Sequence, residues 1–371
     1  MYLSKMYHYE KITALLNECE SLRIDLKRSG PFTLRGTFKS TEIPWVIRIT
    51  PQGLFHQNLL LFSGSDGHLA SIRNNGKSLA EYTLNTIHND EKSYYSAFNI
   101  PWIIPEIREE IYDQDQLVAL SGSELIQDSD LRGAFHNHST YSDGKNTIRE
   151  MAEKCISLGY EYLGISDHSQ SAYYANGLQE FHVLKQLEEI DLLNEELAPF
   201  TIFKGIESDI LNDGSLDYRQ EILAKFDFIV ASIHSNLTMD AEKATARLIK
   251  AIENPYTTML GHATGRLLLK RPGYPIDHSK IIDACAQHGV MIEINANPKR
   301  LDMDWRWVSY ALQKGVMLTI NPDAHEIDGL NEMRYGVIVG RKGGLTKTMT
   351  FNAKPLAEVN QYLAERKAQI K

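Results

Sequence analysis

A chain of 371 residues, 43% hydrophobic and 23% charged, has room for one main domain and a smaller second one, and it holds no apolar run near the ~18 residues that a membrane span needs. Its net charge of −9 argues against a protein that grips nucleic acid over a broad surface, though not against a local basic groove. Cys19, Cys155 and Cys285 are an odd, scattered set without a CxxC pair, which excludes a disulfide framework and a thiolate zinc site.

In chain order, the opening MYLSKMYHYEKITALLNECESL mixes Glu10, Glu18 and Glu20 with apolar residues and predicts an amphipathic helix. It lacks the apolar core and cleavage site of a signal peptide, so the expected location is the cytoplasm. PWVIRI and NLLLFSG read as strands, HLASIRNNGKSLAEY as a short helix, and NIPWIIPEIREEIYDQDQ as a connector carrying another short helix. A boundary is expected between about residues 115 and 131, giving an α+β domain over 1–125 and a second domain over 126–371.

From residue 131 a repeated unit takes over. GAFHNH, YEYLGISDH, TIFKGIESD, FDFIVASIH, TTMLGH, VMIEIN and VMLTINPDAH are short apolar, β-branched runs, each ending in a polar residue able to bind metal or phosphate. Helical patterns such as NTIREMAEKCISLG, TMDAEKATARLIKAIEN and DHSKIIDACAQHG lie between them. Strands alternating with helices of this length predict right-handed βαβ units on a parallel sheet. Because the polar residues all fall at the C-terminal ends of the strands, a (βα)7 barrel with one functional mouth fits better than an open sheet.

His136 and His138, at i and i+2 on a strand, project to the same side and can share a metal. His168, Glu207, His234, His262, Asp323 and His325 fall at or near other strand ends, and Asp143 lies on the loop after the first pair. Imidazoles mixed with carboxylates suit zinc, manganese or iron better than magnesium or calcium. Asp167 and Asp209 sit beside these residues, as partners that orient imidazoles or as ordinary capping carboxylates. Lys204, Arg266, Arg300 and Asn297 are candidates for binding substrate phosphates, with surface salt bridging the alternative. Tyr173 and Tyr174 read first as loop packing, and as a base-stacking pair second.

HNHSTYSDG, GISDHS, GIESDILNDGSLD, ASIHS, LGHATGRLLLKR, EINANPKRLD and NPDAH resemble the successive motifs of the PHP (polymerase and histidinol phosphatase) domain, in the version found at the C-terminus of bacterial family X DNA polymerases. The resemblance covers residues 131 to about 352. It implies a distorted, TIM-like seven-fold barrel and a phosphoesterase with three divalent ions, in which a metal-bound hydroxide replaces a side-chain nucleophile. By resemblance, His136, His138, Glu207 and Asp323 hold one ion; Asp143, His168 and His325 hold a second; Glu207 bridges to a third on His234 and His262.

NLLLFSGSDGHLASIRN followed by SLAEY also resembles the thumb of those polymerases. The turn here is Leu61-Phe62-Ser63-Gly64-Ser65, without the family's tyrosine, and counting back without gaps puts Val46 where the last palm aspartate belongs. Nucleotidyl transfer needs carboxylates to hold its metals, so no polymerase activity is expected. Three functions remain open at this point: hydrolysis at nucleic-acid ends as a 3'-5' exonuclease or 3'-end-processing enzyme, small-molecule phosphatase action of the histidinol phosphate type, and a non-catalytic scaffold. No membrane partner is expected.

Overall fold

The computed structural model describes residues 2–4 and 9–370, with side chains described from Tyr9 onward, and it divides into two compact units, Met1–Ser123 and Glu124–Lys371. The first unit holds a four-stranded sheet of β1 (Tyr2–Ser4), β2 (Leu22–Ile24), β3 (Thr33–Phe38) and β4 (Pro44–Thr50), in the order β1-β4-β3-β2. One face packs Leu34 and Ile47 against Ile12 of the helix Tyr9–Asn17. Of the helix expected at the start, residues 5–8 lie outside the described residues, and Tyr2–Ser4 is a strand instead.

PWVIRIT forms β4 as expected, whereas NLLLFSG belongs to the helix Phe55–Ser63 and is not a strand. The reason is composition: Leu59, Leu60 and Leu61 are not β-branched, and a short apolar run cannot by periodicity alone separate a strand from a buried helix turn. Between the helices Asp66–Ser71 and Leu79–Asn85, a two-stranded hairpin of β5 (Arg73–Asn74) and β6 (Lys77–Ser78) turns at Asn75-Gly76, both with positive φ, a conformation that this dipeptide tolerates.

The second unit is the expected barrel. Its strands are β7 (Gly133–Ala134), β8 (Tyr162–Ile165), β9 (Thr201–Asp209), β10 (Phe228–Ser232), β11 (Met259–Leu260), β12 (Met291–Asn295) and β13 (Leu318–Asn321), all parallel and in sequential order. Strands β8, β10, β12 and β13 are buried along their whole length, as parallel strands covered on both faces must be, which is why they read as unbroken apolar runs. The helices between them start where side chains cap them. Thr147 and Glu150 form a reciprocal capping box on Ile148–Ser157, and Asp240 and Asp277 cap Ala241–Ile252 and His278–His288.

The barrel is distorted at its closing seam. Strands β7 and β13 share no continuous ladder among the described residues, and single backbone and side-chain hydrogen bonds bridge them instead. At the mouth the His138 N–H donates to Ala324 O (2.8 Å); midway the Phe135 N–H donates to Asn321 Oδ1 (3.0 Å). At the base Asn352 Nδ2 donates to Gly133 O (2.9 Å) and Ile320 O (2.6 Å) while its Oδ1 accepts from the Ile320 N–H (3.0 Å). The interior below the mouth is filled by Phe135, whose ring lies 5.2–5.7 Å from those of Tyr162, Phe203, Phe228 and Phe351. Val359 and Leu363 of the last helix, Leu356–Ala368, join this cluster.

Candidate metal centre

Above the Phe135 layer all nine candidate ligands converge, at the C-terminal ends of their strands. Glu207 is the middle of the group. Its buried carboxylate lies 3.0 Å from His168 Nδ1, 3.0 Å from His262 Nε2, 3.1 Å from His234 Nε2, 3.2 Å from His136 Nε2 and 3.6 Å from His138 Nε2. The neighbourhood of His168 and Glu207 follows from strand pairing, since β8 and β9 continue past Ile165 as a parallel bridge between these two residues. Asp323 Oδ1 lies 3.1 Å from His138 Nε2 and 3.5 Å from His136 Nε2. Asp143 Oδ1 faces His325 Nε2 at 3.4 Å, His168 Nε2 at 3.7 Å and His138 Nδ1 at 3.9 Å.

Four groupings have ligand atoms close enough to share an ion: His138, Asp143, His168 and His325; His136, His262 and Asp323; His136, His138 and Glu207; His168, Glu207 and His234. This differs from the partition drawn from resemblance by placing His262 with His136 and Asp323, and His168 with His234.

Two local features bring the last members in. Asp323 adopts φ +53, which turns the chain after β13 so that His325 Nδ1 meets the Asp323 carbonyl at 2.9 Å. Gly144 lets the Asp143 loop fold back onto the first histidine pair, because a Cβ there would sit 2.6 Å from the His138 carbonyl.

Electrostatics show a cluster built for cations. Burial works against every charged form here, and it is overridden at most positions. Against burial, Glu207 is held well below the usual carboxylate range by His234, His136 and His168, and Asp323 by His136, His138 and Arg300. Asp143 is likewise lowered to about 2, chiefly by His325. His234 is raised to about 10 by Glu207 and Asp209, and His325 to about 9 by Asp143 and Asp323. His138 and His262 are the exceptions: burial, with His325 and His168 beside it, pushes His138 down to about 3, and burial with Arg300 nearby lowers His262.

A divalent ion fits the donor set. His136 Nε2, His138 Nδ1, His168 Nδ1 and Glu207 Oε2 are buried with no hydrogen-bond partner among the described residues. His168 Nδ1 and Glu207 Oε2 are 3.0 Å apart and still not aligned to hydrogen-bond each other. Buried lone pairs left unpaired at this density are costly unless a cation takes them.

Surrounding residues hold the imidazoles. Asp209 Oδ1 pairs with His234 Nδ1 and its Oδ2 accepts from Ser171 Oγ (2.9 Å), so it orients a ring. Among the described residues Asp167 hydrogen-bonds to no imidazole. Its carboxylate accepts from the Ser139 N–H (2.8 Å), Ser139 Oγ (2.6 Å), Ser142 Oγ and Gln186 Nε2 (2.6 Å), which fixes the loop that carries Asp143. Glu293 was missed by sequence reasoning. Fully buried on β12, it meets His136 Nδ1 at 2.6 Å and accepts from the His262 N–H (3.1 Å), Asn295 Nδ2 (2.9 Å) and Asn321 Nδ2 (3.2 Å). The available signal was an acidic residue inside the apolar run VMIEIN.

Of the four expected phosphate binders, one reaches the cluster. Arg300 Nε lies 3.3 Å from Asp323 Oδ2. Lys204 sits three residues before Glu207 on β9, hence on the opposite face, and pairs with Asp191 at 2.5 Å. The guanidinium of Arg266 is spent on Asp304 Oδ2 (2.8 Å) and on the carbonyls of Arg300 and Leu301, so it braces the loop instead of facing the cluster. Asn297 Oδ1 accepts from the Lys299 N–H (3.0 Å) within its own turn. Tyr174, 68% exposed, has its ring 6.0 Å from that of His168 and 6.3 Å from that of His234.

Residues 134–297 match the PHP domain family. The chain is 39% identical over 327 residues to the DNA polymerase/3'-5' exonuclease PolX of Bacillus subtilis, a match spanning 85% of this chain and 57% of that protein, so the chain spans a little over half its length. It is 30% identical over 247 residues to a probable phosphatase of Thermoanaerobacter, covering 63% of this chain and 95% of that one. Among solved structures, a histidinol phosphate phosphatase from Lactococcus lactis, complexed with zinc, L-histidinol and phosphate, is similar at 16% identity with a TM-score of 0.44, covering 58% of this chain and 94% of that one. This chain belongs to the PHP-domain family and is built on a seven-stranded barrel.

Proposed function

We propose that the protein is a metal-dependent phosphoesterase that removes nucleotides or phosphate from the 3' ends of nucleic acid, with no polymerase activity. The observation that carries the hydrolytic reading is the convergence of nine ligand-type side chains on Glu207, with buried lone pairs left for cations. His136, His138, Asp143, His168, Glu207, His234, His262, Asp323 and His325 would hold three ions of zinc, manganese or iron. Divalent ions so placed supply a lowered pKa for water and charge stabilisation on phosphoryl oxygens.

The chain's own groups do the rest. Glu207 stays ionised at the centre, while Glu293 and Asp209 fix the orientation and tautomer of His136 and His234. Asp167, through Ser139 and Ser142, keeps the Asp143 loop in place. The aromatic layer around Phe135 closes the site from below and keeps bulk water out of the barrel. Arg300 is the cation free to trade its contact with Asp323 for a substrate phosphate, through charge-assisted hydrogen bonds.

Nucleic acid is favoured as substrate because the match to the exonuclease relative extends over 85% of this chain, well beyond the barrel. Polymerisation is disfavoured by the first unit's sheet. On the face opposite Ile12, the residues in register are Arg23, Thr33, Arg35, Thr37, Pro44, Val46 and Arg48, with no carboxylate among them. A second reading, phosphatase action on a small phosphomonoester, is favoured by the similarity to a probable phosphatase, 95% of whose length is matched by 63% of this chain.

The test is a 5'-labelled single strand incubated with the manganese-loaded protein. Stepwise shortening from the 3' end, abolished by His138→Ala, is expected. An intact strand beside rapid release of phosphate from small phosphomonoesters gives the second reading the substrate.

A further inference from the structure

The charge of this acidic protein is unevenly distributed. Residues 22–50 hold Arg23, Lys27, Arg28, Arg35, Lys39 and Arg48 against Asp25 and Glu42, a net charge of +4 within a chain of −9. The segment is nearly coextensive with β2, β3 and β4. Strand register then sorts its arginines. Arg23 lies opposite Thr37, two residues from Arg35; Arg35 lies opposite Val46, two residues from Arg48. Paired residues and residues two apart share a face, so the three arginines form a diagonal row across three strands, with diagonal neighbours roughly 7–8 Å apart.

The helix Tyr9–Asn17 packs on the other face, with Ile12 on Leu34 and Ile47. On the arginine face Arg23 keeps 60% of its side chain exposed and meets Glu42 at 3.2 Å only at the edge. Arg35 is exposed and has no ion pair among the described residues. Arg48 lies over the ring of Phe62, 3.8 Å from its centroid, with Phe62 itself 49% exposed. A row of cations spaced along a flat sheet, with an exposed aromatic ring under one of them, suits a flexible polyanion whose bases can stack. A ring exposed beside the cations can stack on a base only where the base is unstacked from its neighbours, which favours a single strand over a duplex.

We propose that this sheet face is a docking platform for single-stranded nucleic acid, separate from the metal centre, with Arg23, Arg35 and Arg48 on successive phosphates and Phe62 beneath a base. It rests on the reading that the substrate is a nucleic acid, and it has the first unit supply affinity for the strand without chemistry. Small phosphomonoesters would gain nothing from it.

The experiment uses the full-length, metal-loaded protein and a labelled, covalently closed circle of single-stranded DNA, which offers no end to trim. Binding is measured by fluorescence anisotropy across a salt series for the wild type and for Arg23→Gln/Arg35→Gln, with p-nitrophenyl phosphate hydrolysis followed in parallel. The double variant is expected to bind at least about fivefold more weakly, and its plot of log affinity against log salt to flatten by about 0.7 per arginine removed. Its hydrolysis of p-nitrophenyl phosphate is expected to match the wild type. Equal binding by both proteins overturns the platform, and so does competition by polyglutamate as effective as that by DNA at equal charge, which would make the partner an acidic protein. A wild type that holds the circle through these arginines and yet never shortens a linear strand refutes end hydrolysis while leaving the platform standing.

Discussion

The two units place their polar groups in opposite ways. In the barrel, carboxylates, imidazoles and amides are gathered inside, at one end of the strands, and many are buried without a protein partner. In the first unit the arginines lie on an exposed sheet face and few polar groups are buried: Arg108 is tied to Glu91 (2.8 Å), Ser63 and the Ile103 carbonyl, while the scattered His68 Nδ1 and Thr83 Oγ1 have no hydrogen-bond partner among the described residues. Buried and unpaired polar groups signal a missing ligand, whereas buried and paired ones signal a scaffold. The unpaired buried acceptors that gather around one carboxylate, Glu207, place the chemistry in the barrel.

The sharpest break of this contrast is Glu207→Gln. Neutralising the carboxylate that faces five imidazoles is expected to cut kcat/KM for any phosphoester by at least about 10³-fold. Steady-state kinetics with bis-p-nitrophenyl phosphate reads it, and activity within tenfold of the wild type would remove Glu207 from the centre. Next comes Phe135→Ala, which empties the ring layer beneath the cluster and should destabilise the barrel by about 3–5 kcal/mol in denaturant unfolding, as large-to-small core changes do.

The first unit carries its own pH signature. Burial, with Arg108 nearby, lowers His68 to about 4 from its ordinary 6.5, and its Nε2 lies 3.0 Å from Tyr95 Oη. The native state therefore disfavours the protonated ring, so this contribution is complete above pH 6.5 and is lost as pH falls from 6.5 toward 4, by roughly 3 kcal/mol in all. His68→Gln keeps a hydrogen-bonding group without the titration. The gap in unfolding free energy between it and the wild type should shrink steadily across that window, and a constant gap would contradict the assignment.

The smallest effect is expected at Glu293→Gln. Loss of the charge behind His136 should weaken zinc binding about 10- to 100-fold in chelator competition while leaving the fold intact. Unchanged affinity would make Glu293 a seam residue only.

What the sequence disclosed follows the same division. All seven barrel strands were legible because parallel strands covered on both faces are largely apolar runs, and the polar residue that closes each run marks the functional end. Glu293 escaped because it lies within a run instead of closing it. Lys204 has the right charge at the right end of the chain segment, but three residues from Glu207 along β9 put it on the other face. Arg266 was a fair candidate by type, but only the folded loop reveals the carbonyls of Arg300 and Leu301 that occupy it. In the first unit, the leucine run of Phe55–Ser63 gave no periodicity to decide on, and the arginine row emerges only once β2, β3 and β4 are set in register.

The central claim, a three-ion phosphoesterase centre around Glu207, is tested most directly by metal content. Mass-spectrometric metal analysis of the purified, catalytically active protein should find three divalent ions per chain; fewer than one ion per chain in a preparation that still hydrolyses phosphoesters would contradict it.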